Sequence, residues 1–194
     1  HAVGDERAAE IYDAFVRDLA ARFAQVPFAV HWAVAPPERG FAQRFGIAPA
    51  ACRPQVGAGL GERMRFAFEE MARGGFTRAA LVGSDLPQLP VERVERAFAA
   101  LDEVDLVLGP ASDGGYYLIA QREPHDLFTG IPWSTPSVLA ETLARAESLA
   151  LRVRLLEEDF DVDGVADLDR LREVLADGTA RRAMAATARA LGFP

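Results

Sequence analysis

The stretch AALVGSDLPQLPVERV, residues 79–94, changes character twice in a short span. Ala79 to Val82 form an apolar run of the kind that makes a buried strand. Gly83 and Ser84 interrupt it, and Pro87 and Pro90 prevent a strand ladder from continuing. After Pro90, VERVERAFAAL places Val91, Val94, Phe98 and Leu101 at helical spacing. A buried strand that turns through a short loop into an amphipathic helix is the building unit of α/β folds. The same unit leaves one carboxylate, Asp85, at the strand-to-helix junction. Two readings of Gly83–Pro87 stand side by side: a turn in which Asp85 or Ser84 caps an amide, or a functional carboxylate.

The alternation continues on both sides. Upstream, DERAAEIYDAFVRDLAARF (5–23) is an amphipathic helix with Ala8, Ile11, Tyr12, Phe15, Leu19 and Phe23 on its apolar face. PFAVHWAVA (27–35) reads as a strand, and ERGFAQRFG (38–46) as a short helical turn. A loop rich in Pro, Gly and Ala follows. LGERMRFAFEEMARGG (60–75) is then a helix closed by Gly74 and Gly75. Downstream, VDLVLGPA and GYYLIA are strands joined by ASDGG, and Pro136 suits the first turn of the helix PSVLAETLARAESL. LRVRLLE is a strand with outward arginines alternating with Val153 and Leu155, and the segments from Val165 onward are helical. Strands alternating with helices predict one α/β domain over residues 1–194 with a mostly parallel sheet. Ligands of such sheets bind beyond the carboxyl ends of the strands, where Asp85 lies.

Composition narrows the chemistry. The chain has 194 residues, a formal charge of -8, and no lysine, so all 21 of its Lys-plus-Arg cations are arginine. This excludes Schiff-base chemistry and a P-loop lysine within these residues. An acidic chain without a basic stripe is a poor match for nucleic acid. No apolar run approaches the roughly 20 residues that cross a bilayer, which argues against a membrane partner. Cys52 is the only cysteine, forms no intrachain disulfide, and fits a reducing compartment, so a cytoplasmic location is expected. Phosphates would need a metal or a local arginine group, such as Arg63 and Arg65, to overcome the protein's own field.

Two further segments offer carboxylates. In ASDGGYYLIA, Asp113, Gly114 and Gly115 form an Asp-Gly hairpin turn or a close approach to a ligand. Tyr116 and Tyr117 then point to opposite faces. In EEDFDVDGVADL, an extended backbone would put Asp161 and Asp163 on one side, roughly 7 Å apart. Hard cations such as Mg²⁺ take such oxygen ligands together with substrate phosphates. Asp163 is equally placed to cap the helix that follows. Ser134 and Thr135 offer hydroxyls that suit substrate or the cap of the next helix. The histidines, His1, His31 and His125, are dispersed without metal-ligand spacing, and Trp133 reads as a packing residue.

QVGAGLGERM, LVGSDLPQLP, LVLGPASDGGYYLIA, LFTGIPWSTPSVLAETL and DFDVDGVADLDRL, in this order, resemble the DUF2064 family of bacterial proteins. That family is related to 2-phospho-lactate guanylyltransferase and, more distantly, to molybdenum-cofactor guanylyltransferase, in the nucleotide-diphospho-sugar transferase (GT-A) superfamily. The resemblance implies a Rossmann-like three-layer α/β/α sandwich with a mixed, mainly parallel sheet. It implies that Asp85 and Asp163, with Asp161 as an alternative or additional ligand, hold Mg²⁺ or Mn²⁺ against nucleotide phosphates and are the catalytic residues. Ser84, Asp113, Gly114, Gly115, Tyr116, Ser134 and Thr135 are then expected at the substrate, and Gly61 and Arg63 at the nucleotide. The implied activity is a metal-dependent transferase using a nucleotide or nucleotide sugar, with glycosyl transfer placed ahead of nucleotidyl transfer to a small phosphorylated acid. A non-catalytic nucleotide-binding or partner domain is the reading from a different class.

Two features depart from the family pattern. Members open with an apolar strand and a Gly-rich basic loop, whereas this sequence opens at HAVGDERAAEIY, directly on a helix, and Gly59 stands where relatives more often carry Asp. A shortened N-terminus is therefore expected, and with it a gap in the sheet, a substitute strand from elsewhere, or packing against another chain near the first helix.

Overall fold

The computed structural model describes residues 3–35 and 40–194. The elements run α1 (Asp5–Phe23), β1 (Trp32–Val34), α2 (Phe41–Phe45), β2 (Cys52–Pro54), α3 (Leu60–Arg73), β3 (Ala79–Val82) and α4 (Val91–Ala100). They continue with β4 (Leu106–Pro110), β5 (Tyr116–Gln121), α5 (Val138–Ser148), β6 (Val153–Leu155), α6 (Val165–Ala176), α7 (Gly178–Ala183) and α8 (Ala185–Ala190).

Four strands form a mixed sheet in the order β3-β5-β4-β6. β5 is antiparallel to both of its neighbours and β6 is parallel to β4, so β3, β4 and β6 share one direction. Side chains alternate across this sheet with the two-residue period of a strand. Val107, Leu118 and Ala120 join Leu19 of α1 and Val94, Ala97 and Leu101 around α4. Leu106, Leu108 and Ile119 join Phe68 of α3 and Ala146 of α5 on the opposite face. Helices therefore cover both faces, as the sandwich expectation required. A third cluster fastens Ile11 and Phe15 of α1 to Leu168, Leu171 and Leu175 of α6.

β1 and β2 form a separate parallel pair, with Trp32 opposite Cys52. β2 lies in the segment that the sequence reading assigned to a loop. Its three residues are too few to show a period, and they pair only with β1. Among the described residues, the second edge of β1 and the outer edge of β3 have no ladder partner. Trp32 and Ala80 nevertheless pack against the same buried cluster. The described strands thus fall into two sheets.

Other expectations need adjustment. Tyr12 is 45% exposed and Ala8 is also exposed, because the buried stripe of α1 runs through Ile11, Phe15 and Leu19. Leu155 is 48% exposed, since β6 is an edge strand and its end is not covered. Helix α5 starts at Val138, two residues beyond Pro136, and no side chain caps it. Of the segment 27–35 only Trp32–Val34 is a strand, and Phe41–Phe45 forms the short helix expected within 38–46, whose residues 38 and 39 lie outside the described residues. Among the described residues, no helix is long and apolar enough to cross a membrane.

Candidate metal and substrate site

Asp85 is held by its neighbours on both sides. Leu86 and Leu89 are fully buried and anchor the loop after β3. A Cβ on Gly83 would lie 2.4 Å from Asp85 Oδ1, so glycine leaves the space that this carboxylate occupies. The segment carrying Asp161 and Asp163 arrives from β6. Asp159 N–H donates to Pro110 O (3.0 Å), and Ser112 N–H donates to Asp159 O (2.9 Å), so the segment runs beside the end of β4. Phe160 is buried, and Val162 N–H then donates to Asp85 O at 3.0 Å. These bonds bring one carboxylate oxygen from each of Asp85, Asp161 and Asp163 within 4.8 Å of one another.

Capping does not occupy Asp163. Helix α6 begins after Gly164, and it is Asp167 that accepts from the Gly164 (2.8 Å) and Asp163 (3.2 Å) amides. The Asp163 carboxylate is left facing its neighbours. Burial raises the pKa of Asp85 above the ordinary carboxylate value, and Asp163 and Asp113 add to the rise while its own amide opposes it. Asp161 is pushed up to about 6 by burial, against its own amide, with Asp113, Asp163 and Asp85 adding to the rise. Asp163 is raised by burial and then by Asp113 and Asp167. Among the described residues, no arginine forms an ion pair with any of the three. Three hard oxygen donors, converging and unneutralised, match the ligand set of Mg²⁺ or Mn²⁺.

The Asp113–Gly115 turn is both a hairpin turn and a neighbour of this cluster. Asp113 Oδ1 accepts from Gly115 N–H at 2.8 Å, and the turn joins antiparallel β4 and β5. Gly114 has φ +92°, and a Cβ there would meet Pro136 O at 2.1 Å. Leu139 N–H donates to Gly114 O (2.9 Å), which ties the turn to the start of α5.

Other candidates fall elsewhere. Tyr116 packs into the α3–α5 side of the core, edge-on to Trp133, and its buried hydroxyl has no partner. Burial raises its pKa far above the usual phenol range; Thr142 opposes this without meeting hydrogen-bond geometry. Ser84 Oγ is 2.5 Å from Tyr12 Oη, which puts Tyr12 at the rim of the Asp85 loop. The sequence reading assigned Tyr12 to the core, and its position on a helical stripe gave no signal of this contact. Ser134 has φ 62°, and Thr135 Oγ1 donates to Pro132 O (2.7 Å) and lies 3.0 Å from Ser137 Oγ, so these residues shape the turn before α5 without capping it.

Gly61 lets the first turn of α3 lie against Trp133, since a Cβ there would sit 2.6 Å from the indole Nε1. It lines a cavity of about 450 Å³ with Gly59, Arg65, Phe128 and Trp133. Arg63 is occupied with its own loop, donating to Gly57 O and Gln55 Oε1 at 3.2 Å each, so Arg65 is the cation at this cavity. His31 lies against Phe76, both ring nitrogens without partners, and its pKa is lowered by burial and then by Arg53. His125 N–H donates to Gln121 Oε1, and His1 lies outside the described residues.

The family described as "Uncharacterized protein conserved in bacteria (DUF2064)" matches residues 19–135. A phosphoenolpyruvate guanylyltransferase from Sphaerobacter thermophilus is 32% identical over 121 residues, which is 60% of this chain. The match spans 57% of that relative's length, a little over half. A solved structure from Desulfovibrio desulfuricans G20, provisionally assigned as a nucleotide-diphospho-sugar transferase, superposes with a TM-score of 0.86 at 34% identity. That superposition covers 97% of this chain and 86% of the other.

Proposed function

This chain belongs to the DUF2064 family, and on that premise we propose that it is a divalent-metal-dependent transferase acting on a nucleotide-activated donor. One observation carries the reading: Asp85, Asp161 and Asp163 converge within 4.8 Å, unneutralised, beyond the end of β3. In this reading Asp85 and Asp163 are the catalytic residues and would hold Mg²⁺ or Mn²⁺, with Asp161 completing the set. A bound divalent ion supplies Lewis-acid polarisation and a template for phosphate oxygens. The chain itself holds the carboxylates in place through Val162 and Asp85. The Asp113–Gly115 turn borders the space beside them, with Ser84 on the Asp85 loop.

Nucleotidyl transfer to a small phosphorylated acid is placed first, supported by the similarity to a guanylyltransferase that acts on phosphoenolpyruvate. In that reaction a phosphate oxygen of the acceptor attacks the α-phosphorus of a nucleoside triphosphate. The new P–O bond forms as the bond to the bridging oxygen breaks, and pyrophosphate leaves. No covalent protein nucleophile is needed. Glycosyl transfer, the first choice of the sequence reading, becomes second; its support is the nucleotide-sugar assignment of the solved relative.

The test combines binding with product analysis. Calorimetry of Mn²⁺ on the parent and on Asp85→Asn is expected to show binding that the substitution largely removes; unchanged affinity overturns the site. Incubation with Mn²⁺, nucleoside triphosphates and phosphorylated carboxylic acids is expected to release pyrophosphate. Nucleoside diphosphate from nucleotide sugars, with no pyrophosphate, moves the assignment to glycosyl transfer. Metal binding without either product supports the non-catalytic alternative.

A further inference from the structure

Behind the three carboxylates lies a fourth, Asp159, with a different fate. It is 14% exposed and pairs with Arg93 of α4, itself 16% exposed. Its Oδ1 also accepts from Gln88 Nε2 (3.1 Å) and from Phe160 N–H (2.8 Å). Gln88 Nε2 donates in addition to Phe160 O at 2.7 Å. Gln88 stands three residues after Asp85 in the same loop, and Asp159 two residues before Asp161. The Arg93 guanidinium lies over the Tyr117 ring at 5.3 Å, and Tyr117 Oη donates to Glu157 O at 3.0 Å. The base of the Asp161–Asp163 segment is thus fastened to α4, to β5 and to the Asp85 loop, through groups that none of the candidate ligands uses.

We infer that Arg93, Asp159 and Gln88 are positioning residues that set the Asp161–Asp163 segment against Asp85 and so determine cation affinity. The inference rests on the metal reading of the site for its consequence, and on the structure alone for its geometry. Arg93 has two effects. It pairs with Asp159, which otherwise stands as an unneutralised carboxylate at the base of the segment. It also orients Asp159 so that the segment's amides meet β4 and Asp85. Residues that orient metal ligands typically alter affinity by ~10–100-fold when replaced.

The decisive variant is the double apolar exchange Arg93→Met/Asp159→Leu. Replacing both partners of this partly buried ion pair by apolar groups leaves no unpaired charge, whereas removing one partner does. A purely structural role therefore predicts that the double variant recovers everything. A positioning role predicts a folded double variant whose Mn²⁺ affinity is lowered by about tenfold or more. It also predicts faster amide exchange at Val162, whose N–H donates to Asp85 O at 3.0 Å. Parent-like Mn²⁺ affinity and Val162 protection in the folded double variant overturn the inference. If the double variant does not fold, Gln88→Met, which keeps the ion pair, is judged on the same two readouts. If the parent binds no Mn²⁺, the metal reading fails separately. Val162 exchange then decides alone: acceleration supports positioning and unchanged protection overturns it.

Discussion

Asp161 carries the clearest electrostatic consequence at the scale of single residues. Its pKa rises from 3.8 to about 6, chiefly by burial, so the folded chain holds this proton more tightly than the unfolded one. Between those values the native state binds more protons, and stability falls as pH rises. The cost is fully present above about pH 6 and is relieved as pH falls through the shifted value. Asp161→Asn is therefore expected to raise the metal-free melting temperature at pH 7.5, with the gain vanishing near about pH 4. Added Mn²⁺ should stabilise the parent at pH 7.5 and lose that effect at about pH 4.5, because protons compete for its ligands. A metal-free gain at low pH instead of high pH contradicts this assignment. The paired glycines differ in kind. Gly114→Ala forces a side chain onto φ +92° and into Pro136 O, so a loss of about 1–3 kcal/mol or more is expected in urea unfolding. Gly115 has ordinary φ, and its added Cβ would lie 3.1 Å from Asp113 Oδ1, so Gly115→Ala should fold and disturb Asp113 rather than the hairpin.

Between elements, one tie between residues far apart in sequence seats α8 on α1. Asp18 is 7% exposed and accepts from the Ala186 (2.9 Å) and Thr187 (2.7 Å) amides in the first turn of α8. A carboxylate 168 residues away in sequence thus serves as the cap that α8 lacks from its own N-cap residue. Asp18→Ala leaves those amides buried and unsatisfied, so a loss of about 1.5–3 kcal/mol is expected. Chemical denaturation followed by far-UV circular dichroism measures it; a change within about 0.5 kcal/mol would mean that the cap contributes nothing. The strands show a related contrast. β6 is flanked by the Arg152–Asp105 and Arg154–Glu103 ion pairs, the charged protection usual for a sheet edge. β1 and β3 present Trp-Ala-Val and Ala-Ala-Leu-Val at their open edges, with Val82 42% exposed. These are interior-type sequences on edges that lack neighbours among the described residues.

At the scale of the whole molecule, a net charge of -8 and three converging carboxylates oppose the approach of any nucleotide. Nucleoside triphosphate binding is accordingly expected to weaken about tenfold or more when Mn²⁺ is withdrawn, and isothermal titration with and without chelator checks it. Equal affinity in both conditions would place the phosphates away from the cluster. The amino-acid order alone determined the α/β class: apolar runs of strand length, helical stripes such as Val94–Leu101, and the punctuation of Gly83, Pro87 and Pro90 are local signals. It also singled out Asp85, Asp161 and Asp163, because carboxylates at strand ends and two residues apart stand out against their surroundings. It missed β2, whose three residues carry no readable period, and it misplaced Tyr12 and Leu155, whose exposure depends on which neighbours cover them. Only the tertiary structure decided that Asp167 relieves Asp163 of capping, that Tyr116 turns into the core, and that Arg93 claims Asp159 but leaves Asp161 unpaired. Those choices depend on contacts between segments distant in sequence, such as Gln88 with Asp159, 71 residues apart, and no local pattern records which of several neighbouring carboxylates a distant guanidinium will reach.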